Sequence, residues 1–121
     1  MDKDIETLYT NSIGISFKWK HVDFEKRHKI QLIFKETGMF LTKEQLLQFS
    51  KCLNVAIQNS TQCGSCVLNN SCKSILLESP VKLLSFAVNY KELVLLQELV
   101  NGTFFELNLT GFLQNLNIKN P

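Results

Sequence analysis

The sequence predicts an α+β domain: two strand–strand–helix units forming an antiparallel-rich sheet packed by helices, with a short C-terminal helix closing the chain. Three observations carry that expectation. Apolar residues alternate or cluster in runs of strand length. Two helix starts show the reciprocal capping pattern, Thr42 with Gln45 and Asn89 with Glu92. The two halves also share a register: setting Thr42 on Asn89 places Leu46 on Leu93, Leu47 on Val94, Phe49 on Leu96 and Leu53 on Val100. That register points to an internal duplication.

Ile15, Phe17 and Trp19 alternate with Ser16, Lys18 and Lys20, the period-two pattern of a strand with one wet face. A charged loop from Asp23 to Lys29 leads to a second strand, Ile30-Gln31-Leu32-Ile33-Phe34. Thr37-Gly38 reads as a turn into Met39-Phe40-Leu41. Thr42 then caps a helix whose apolar stripe is Leu46, Phe49, Leu53 and Ile57. The second half runs from a short strand, Ser74 to Leu77, past Pro80 to a strand from Val81 to Val88. Asn89 opens the second helix, and Asn101-Gly102 reads as its C-cap. Phe104 to Leu109 suits either a strand or more helix, and Thr110 to Asn117 a closing helix.

Several strands are apolar on both faces, for example Leu32 beside Ile33 and Met39 beside Phe40, so both faces need cover. Either the helices divide between the faces, with the tail as second cover, or one face is buried in a homodimer.

The chain of 121 residues is one domain, able to bury roughly two-thirds of its unfolded surface. It divides into residues 1–58, a Cys-rich connector at 59–73, and residues 74–121. Thirteen basic residues against eleven acidic ones leave a net charge of +2, too little to draw nucleic acid or an anionic membrane at long range. The charged start Met1-Asp2-Lys3-Asp4 carries no apolar leader, and runs such as Leu93-Val94-Leu95-Leu96 fall far short of a membrane helix. The expected compartment is the cytoplasm, where thiols stay reduced. The Asn-x-Ser/Thr sequons at Asn59, Asn69, Asn101 and Asn108 then carry no sugar.

The order of motifs resembles an uncharacterised bacterial domain-of-unknown-function family of short, cysteine-bearing proteins. The pieces that match are Thr7-Leu8-Tyr9, Ile30 to Phe34, Leu41 to Leu46, Ser74 to Pro80, the strand to Val88, and Glu92 to Leu99. The resemblance implies one Cys-x-x-Cys before the Ile30 strand and a second thiol group in the connector, together a four-thiolate zinc site. Here the first pair is replaced by Phe24 and Arg27, and the connector group is enlarged.

All four cysteines sit between residues 52 and 72. Cys63, Cys66 and Cys72 follow Cys-x2-Cys-x5-Cys in a polar segment, and Cys52 lies at the edge of the first helix's apolar stripe. A tight Cys-x-x-Cys turn aims two sulfurs at one point, and Gly64 tolerates the backbone such turns use. Cys52, Cys63, Cys66 and Cys72 are therefore the candidate metal ligands, for zinc or, by the spacing, an iron–sulfur cluster. Unligated thiols are the plain alternative, because structural zinc sites commonly use two Cys-x-x-Cys knuckles and this chain has one. A thioredoxin-like role fits poorly, since the pair follows a helix and a polar loop rather than a strand.

No nucleophile–base–orienter set is evident, so no catalytic residue is assigned. Lys18, Lys20, His21, Lys26, Arg27, His28 and Lys29, with Trp19 and Phe24, make a basic, aromatic patch of the kind nucleic-acid binders use. Asp23 and Glu25 interrupt it, and a solvated strand edge explains it better. The expectation is a non-enzymatic cytoplasmic module stabilised by metal and acting on a protein partner or in regulation. An iron–sulfur or thiol redox protein is the alternative, and a small nucleic-acid-binding protein stands third.

Overall fold

A computed structural model of the chain describes residues 4–20, 28–62, 75–80 and 84–119. They form β1 (Ile5–Thr10), β2 (Gly14–Trp19), β3 (Ile30–Phe34), β4 (Thr37–Leu41), α1 (Lys43–Gln62), β5 (Ile75–Glu78), β6 (Ser85–Val88) and α2 (Tyr90–Lys119). The fold is α+β with every strand pair antiparallel, as expected. The strands make two sheets rather than one: β1-β2-β3-β4 in order, and the separate hairpin β5-β6.

The capping boxes form as the sequence dictates. The Thr42 amide donates to Gln45 Oε1 at 2.9 Å and the Gln45 amide to Thr42 Oγ1 at 3.1 Å. Asn89 and Glu92 make the same exchange at 3.0 and 2.7 Å. Each box satisfies amides that a helix start leaves without intrahelical partners. The aligned pairs share environments too: Leu46, Leu93, Phe49, Leu96, Leu53 and Val100 are all buried, while Leu47 and Val94 are both exposed.

Cross-strand partners share a sheet face. Ser16, Leu32 and Met39 occupy one face in register, and Ile15, Ile33 and Gly38 the other. The first face, with Ile30, Phe34 and Leu41, packs against Leu46, Phe49, Leu53, Leu93 and Leu96 in a single core. Phe34, Phe49 and Phe86 tie β3, α1 and β6 together, with Phe34 and Phe86 rings 5.0 Å apart. Both described helices therefore lie on one face, and the expected division of helices between faces does not occur. The tail expected as the second cover is the continuation of α2.

Four local readings are corrected. The first strand of the sheet is β1, which the alternation rule misses because a bulge between Thr7 and Tyr9 breaks its period. The bulge sends Leu8 into the core and sets Tyr9 beside α2. The β3–β4 turn is Lys35-Glu36, both with left-handed φ (49° and 65°), and Thr37-Gly38 lies in β4. A two-residue hairpin turn needs that conformation to match strand twist. Lys35 is held there by Glu92, 3.2 Å away, and by the Ala87 carbonyl, also 3.2 Å.

The third correction concerns α1, which runs to Gln62, so residues 59–62 are its last turn rather than connector. Ser60 is buried there and donates to the Ala56 carbonyl at 2.7 Å. The fourth concerns α2, which passes through Asn101-Gly102 without a break, so there is no separate closing helix. Gly102 has no left-handed φ; it is small because the Tyr9 ring lies against it, and a Cβ there would come within 2.3 Å of Tyr9 Cδ2. Next to it, the buried Ser16 hydroxyl donates to Thr103 Oγ1, which donates on to the Leu99 carbonyl at 2.7 Å.

Candidate functional site

Of the four candidate ligands, Cys52 lies among the described residues; Cys63, Cys66 and Cys72 lie outside them, as do His21, Phe24, Lys26 and Arg27. Cys52 is half-buried on α1, three positions past Phe49 and one before Leu53, at the margin of the core. It lines an open depression of about 310 Å³ between α1 and β5. Lys51, Val55, Ala56 and Asn59 shape the helix side, and Leu76 and Glu78 the strand side.

Burial, and then the charge of Glu78, push the Cys52 thiol above its ordinary range. Both causes favour the protonated form. Such a thiol is a weak nucleophile, the opposite of the electropositive setting of a redox cysteine. A bound cation would reverse that balance, since a coordinated thiol loses its proton outright. Among the described residues, no three His, Cys, Asp or Glu side chains gather where they could hold an ion.

The placement sets a condition on any shared site. Cys52 precedes the end of α1 by ten residues, about 15 Å along the helix axis. The twelve residues from 63 to 74 join the end of α1 to β5, and such a length reaches at most about 40 Å when extended. Cys63 follows Gln62 directly, so four thiolates around one ion require the last turns of α1 to unwind as well as the connector to run back toward the depression at Cys52.

Of the basic, aromatic patch, Trp19 is 40% exposed and its Nε1 donates to Gln31 Oε1 at 3.3 Å. It meets Phe17 edge-on, with ring centres 5.1 Å apart, and Lys29 Nζ lies 5.4 Å from the centre of the Phe40 ring. By register these aromatics belong to the sheet face that the described helices leave uncovered. Sequence reading missed Glu78 as the neighbour of Cys52, because nothing in the spacing of β5 announces that contact. It also missed Phe105, 66% exposed in mid-helix.

No protein-family model, curated protein or solved structure matches this chain. No helix among the described residues is long and apolar enough to cross a membrane.

Proposed function

We propose that this chain is a non-enzymatic cytoplasmic binding module in which Cys52, Cys63, Cys66 and Cys72 hold one zinc ion, and which acts on a protein partner. The observation that supports the reading is the position of Cys52, where α1 meets β5. Those are the two elements that the thiol-bearing connector joins. A metal there has mechanical work to do. The β5-β6 hairpin is a separate two-stranded sheet whose hold on α1 comes from Leu77, Phe86 and Val88 packing into the shared core. An ion shared between connector and helix anchors it to α1, and its binding energy becomes folding energy. The role as a binder rather than an enzyme follows from a sequence without a nucleophile–base–orienter set.

Elemental analysis of anaerobically purified full-length chain tests this. The expected result is colourless protein with one zinc per chain. Cys66→Ala should then lose the metal and be destabilised by several kcal/mol, on the order of a lost structural site. Brown protein with broad visible absorbance replaces zinc by an iron–sulfur cluster on the same thiols. Metal-free protein whose melting ignores both chelator and Cys66→Ala sinks the metal reading.

A further inference from the structure

β4 is a free edge of the sheet, last in the order β1-β2-β3-β4. Its register with β3 begins at Phe34↔Thr37, across the two-residue turn. In such a hairpin Thr37, Met39 and Leu41 exchange backbone bonds with β3, and the amides and carbonyls of Gly38 and Phe40 point out of the sheet. No backbone group among the described residues pairs with them. The other edge is protected. β1 carries Glu6 and a bulge, and the Tyr9 hydroxyl ties it to Glu98 of α2. β4 has no charge, proline or bulge. It does have Gly38, and a glycine inside a strand weakens it and often marks the close approach of another backbone. Gly38 has no left-handed φ. A Cβ there would meet Gln31 Nε2 at 3.2 Å, the end of a flexible side chain, and Ile33 Cγ1 at 3.8 Å. The described fold therefore does not require a glycine at this exposed position.

We propose that β4 pairs antiparallel with β4 of a second copy of the chain, joining the two sheets into one across a two-fold axis at Met39. Pairing the whole strand with its copy fixes the register: Thr37 opposite Leu41, Gly38 opposite Phe40, and Met39 opposite Met39. In that register Gly38 and Phe40, the residues with outward backbone groups, form the hydrogen-bonded pairs on both sides of the axis. Their side-chain positions lie on the outer sheet face. Each Phe40 ring thus lies over the second copy's Gly38, and an aromatic across from a strand glycine supplies the cover the glycine lacks. One segment carries both halves of the complement, so a second copy is the occupant that satisfies it. Charge agrees with the direction. Glu36 and Lys43, both exposed, flank the strand at opposite ends. Antiparallel pairing brings each Glu36 to the level of Thr42 and Lys43 of the second copy, whereas parallel pairing sets Glu36 beside Glu36. The bulged edge at β1 stays closed to further pairing, so assembly stops at two copies. One short strand buries little area, so the dimer forms reversibly with concentration. The pairing does not rest on the zinc reading.

Sedimentation velocity of the full chain over a wide concentration range, joined to amide hydrogen exchange read by NMR, tests it. The mass should rise from 13.9 kDa toward twice that value. Over the same range the Gly38 and Phe40 amides should pass from fast to slow exchange. Gly38→Pro removes an outward amide at an edge position that tolerates proline, and should hold the chain at monomer mass with its circular dichroism intact. Phe40→Lys should do the same by placing a charge on the edge, and it decides the matter if the proline variant does not fold. Lys43→Glu should weaken the dimer severalfold, and adding Glu36→Lys should restore it. Leu47→Glu, at an exposed apolar position on α1, should leave assembly unchanged. A monomer at every concentration overturns the proposal and leaves the edge to an extended segment of another protein. A mass beyond two copies, a dimer that survives Phe40→Lys, or a dimer whose Gly38 and Phe40 amides exchange as fast as in the monomer overturns it equally.

Discussion

Replacing Gly102 by alanine separates two accounts of the same residue. As a helix C-cap in the left-handed region, Gly102 would resist alanine whatever stood opposite it. In the structure the position is mid-helix, and only the Tyr9 ring stands in the way. An alanine Cβ would lie 2.3, 2.5 and 2.6 Å from Tyr9 Cδ2, Cε2 and Cγ. Ordinary carbon contacts are about 3.5–4.0 Å, so the ring must retreat by more than about 1 Å. That retreat strains the 2.8 Å bond from the Tyr9 hydroxyl to Glu98 and opens the β1–α2 contact. Overpacking of this kind costs about 1–3 kcal/mol, while glycine-to-alanine within a helix returns about 1 kcal/mol. Gly102→Ala should therefore be destabilising by up to about 2 kcal/mol in urea denaturation, with an unchanged m-value. In a Tyr9→Ala background the same change should stabilise by up to about 1 kcal/mol, a coupling of about 2 kcal/mol between the two positions. Equal destabilisation in both backgrounds would refute the close-approach account and restore the C-cap.

Two further outcomes are expected. Glu36→Gly relieves a left-handed φ of 65° at the β3–β4 turn, where a side chain is disfavoured by about 1–2 kcal/mol; set against glycine's greater unfolded-state freedom, the net should be about 0.5–1 kcal/mol of added stability by urea denaturation. Loss of stability would mean that the Lys35 anchor, not the turn conformation, governs the hairpin. The Tyr9 phenol is held above its ordinary value near 10, first by its hydrogen bond to Glu98, then by desolvation, then by the Glu98 charge. Because the folded value is the higher, this stabilisation is complete below the unfolded pKa and fades as pH rises through the folded one. The difference between the ultraviolet phenolate titrations of wild type and Tyr9→Phe should place the Tyr9 midpoint above 10, and a midpoint at or below 10 would remove the bond from the folded state in solution.

The fold class, both helix starts and most of the core were legible in the chain because their causes are local. Capping boxes at Thr42 and Asn89 act over three residues, and the stripes they open are read from spacing alone. What failed depended on distant partners. Gly102 is ambiguous until Tyr9, 93 positions away, is seen against it. Lys35-Glu36 carries no turn signature, since Glu92 and the Ala87 carbonyl hold Lys35 in place from the other half of the molecule. The same limit applies to the thiols. Their spacing announces a cluster, whereas the raised pKa of Cys52 arises from burial and from Glu78 across the α1–β5 depression.

By itself the sequence determined an α+β chain with two capped helices, a shared register between its halves, and four cysteines gathered around one connector. Only the tertiary structure decided that both helices cover the same sheet face, that β5-β6 stands apart as its own sheet, and that α2 runs unbroken past Gly102. Periodicity records which side of an element is apolar; which neighbour covers that side is settled by packing between segments far apart in the chain.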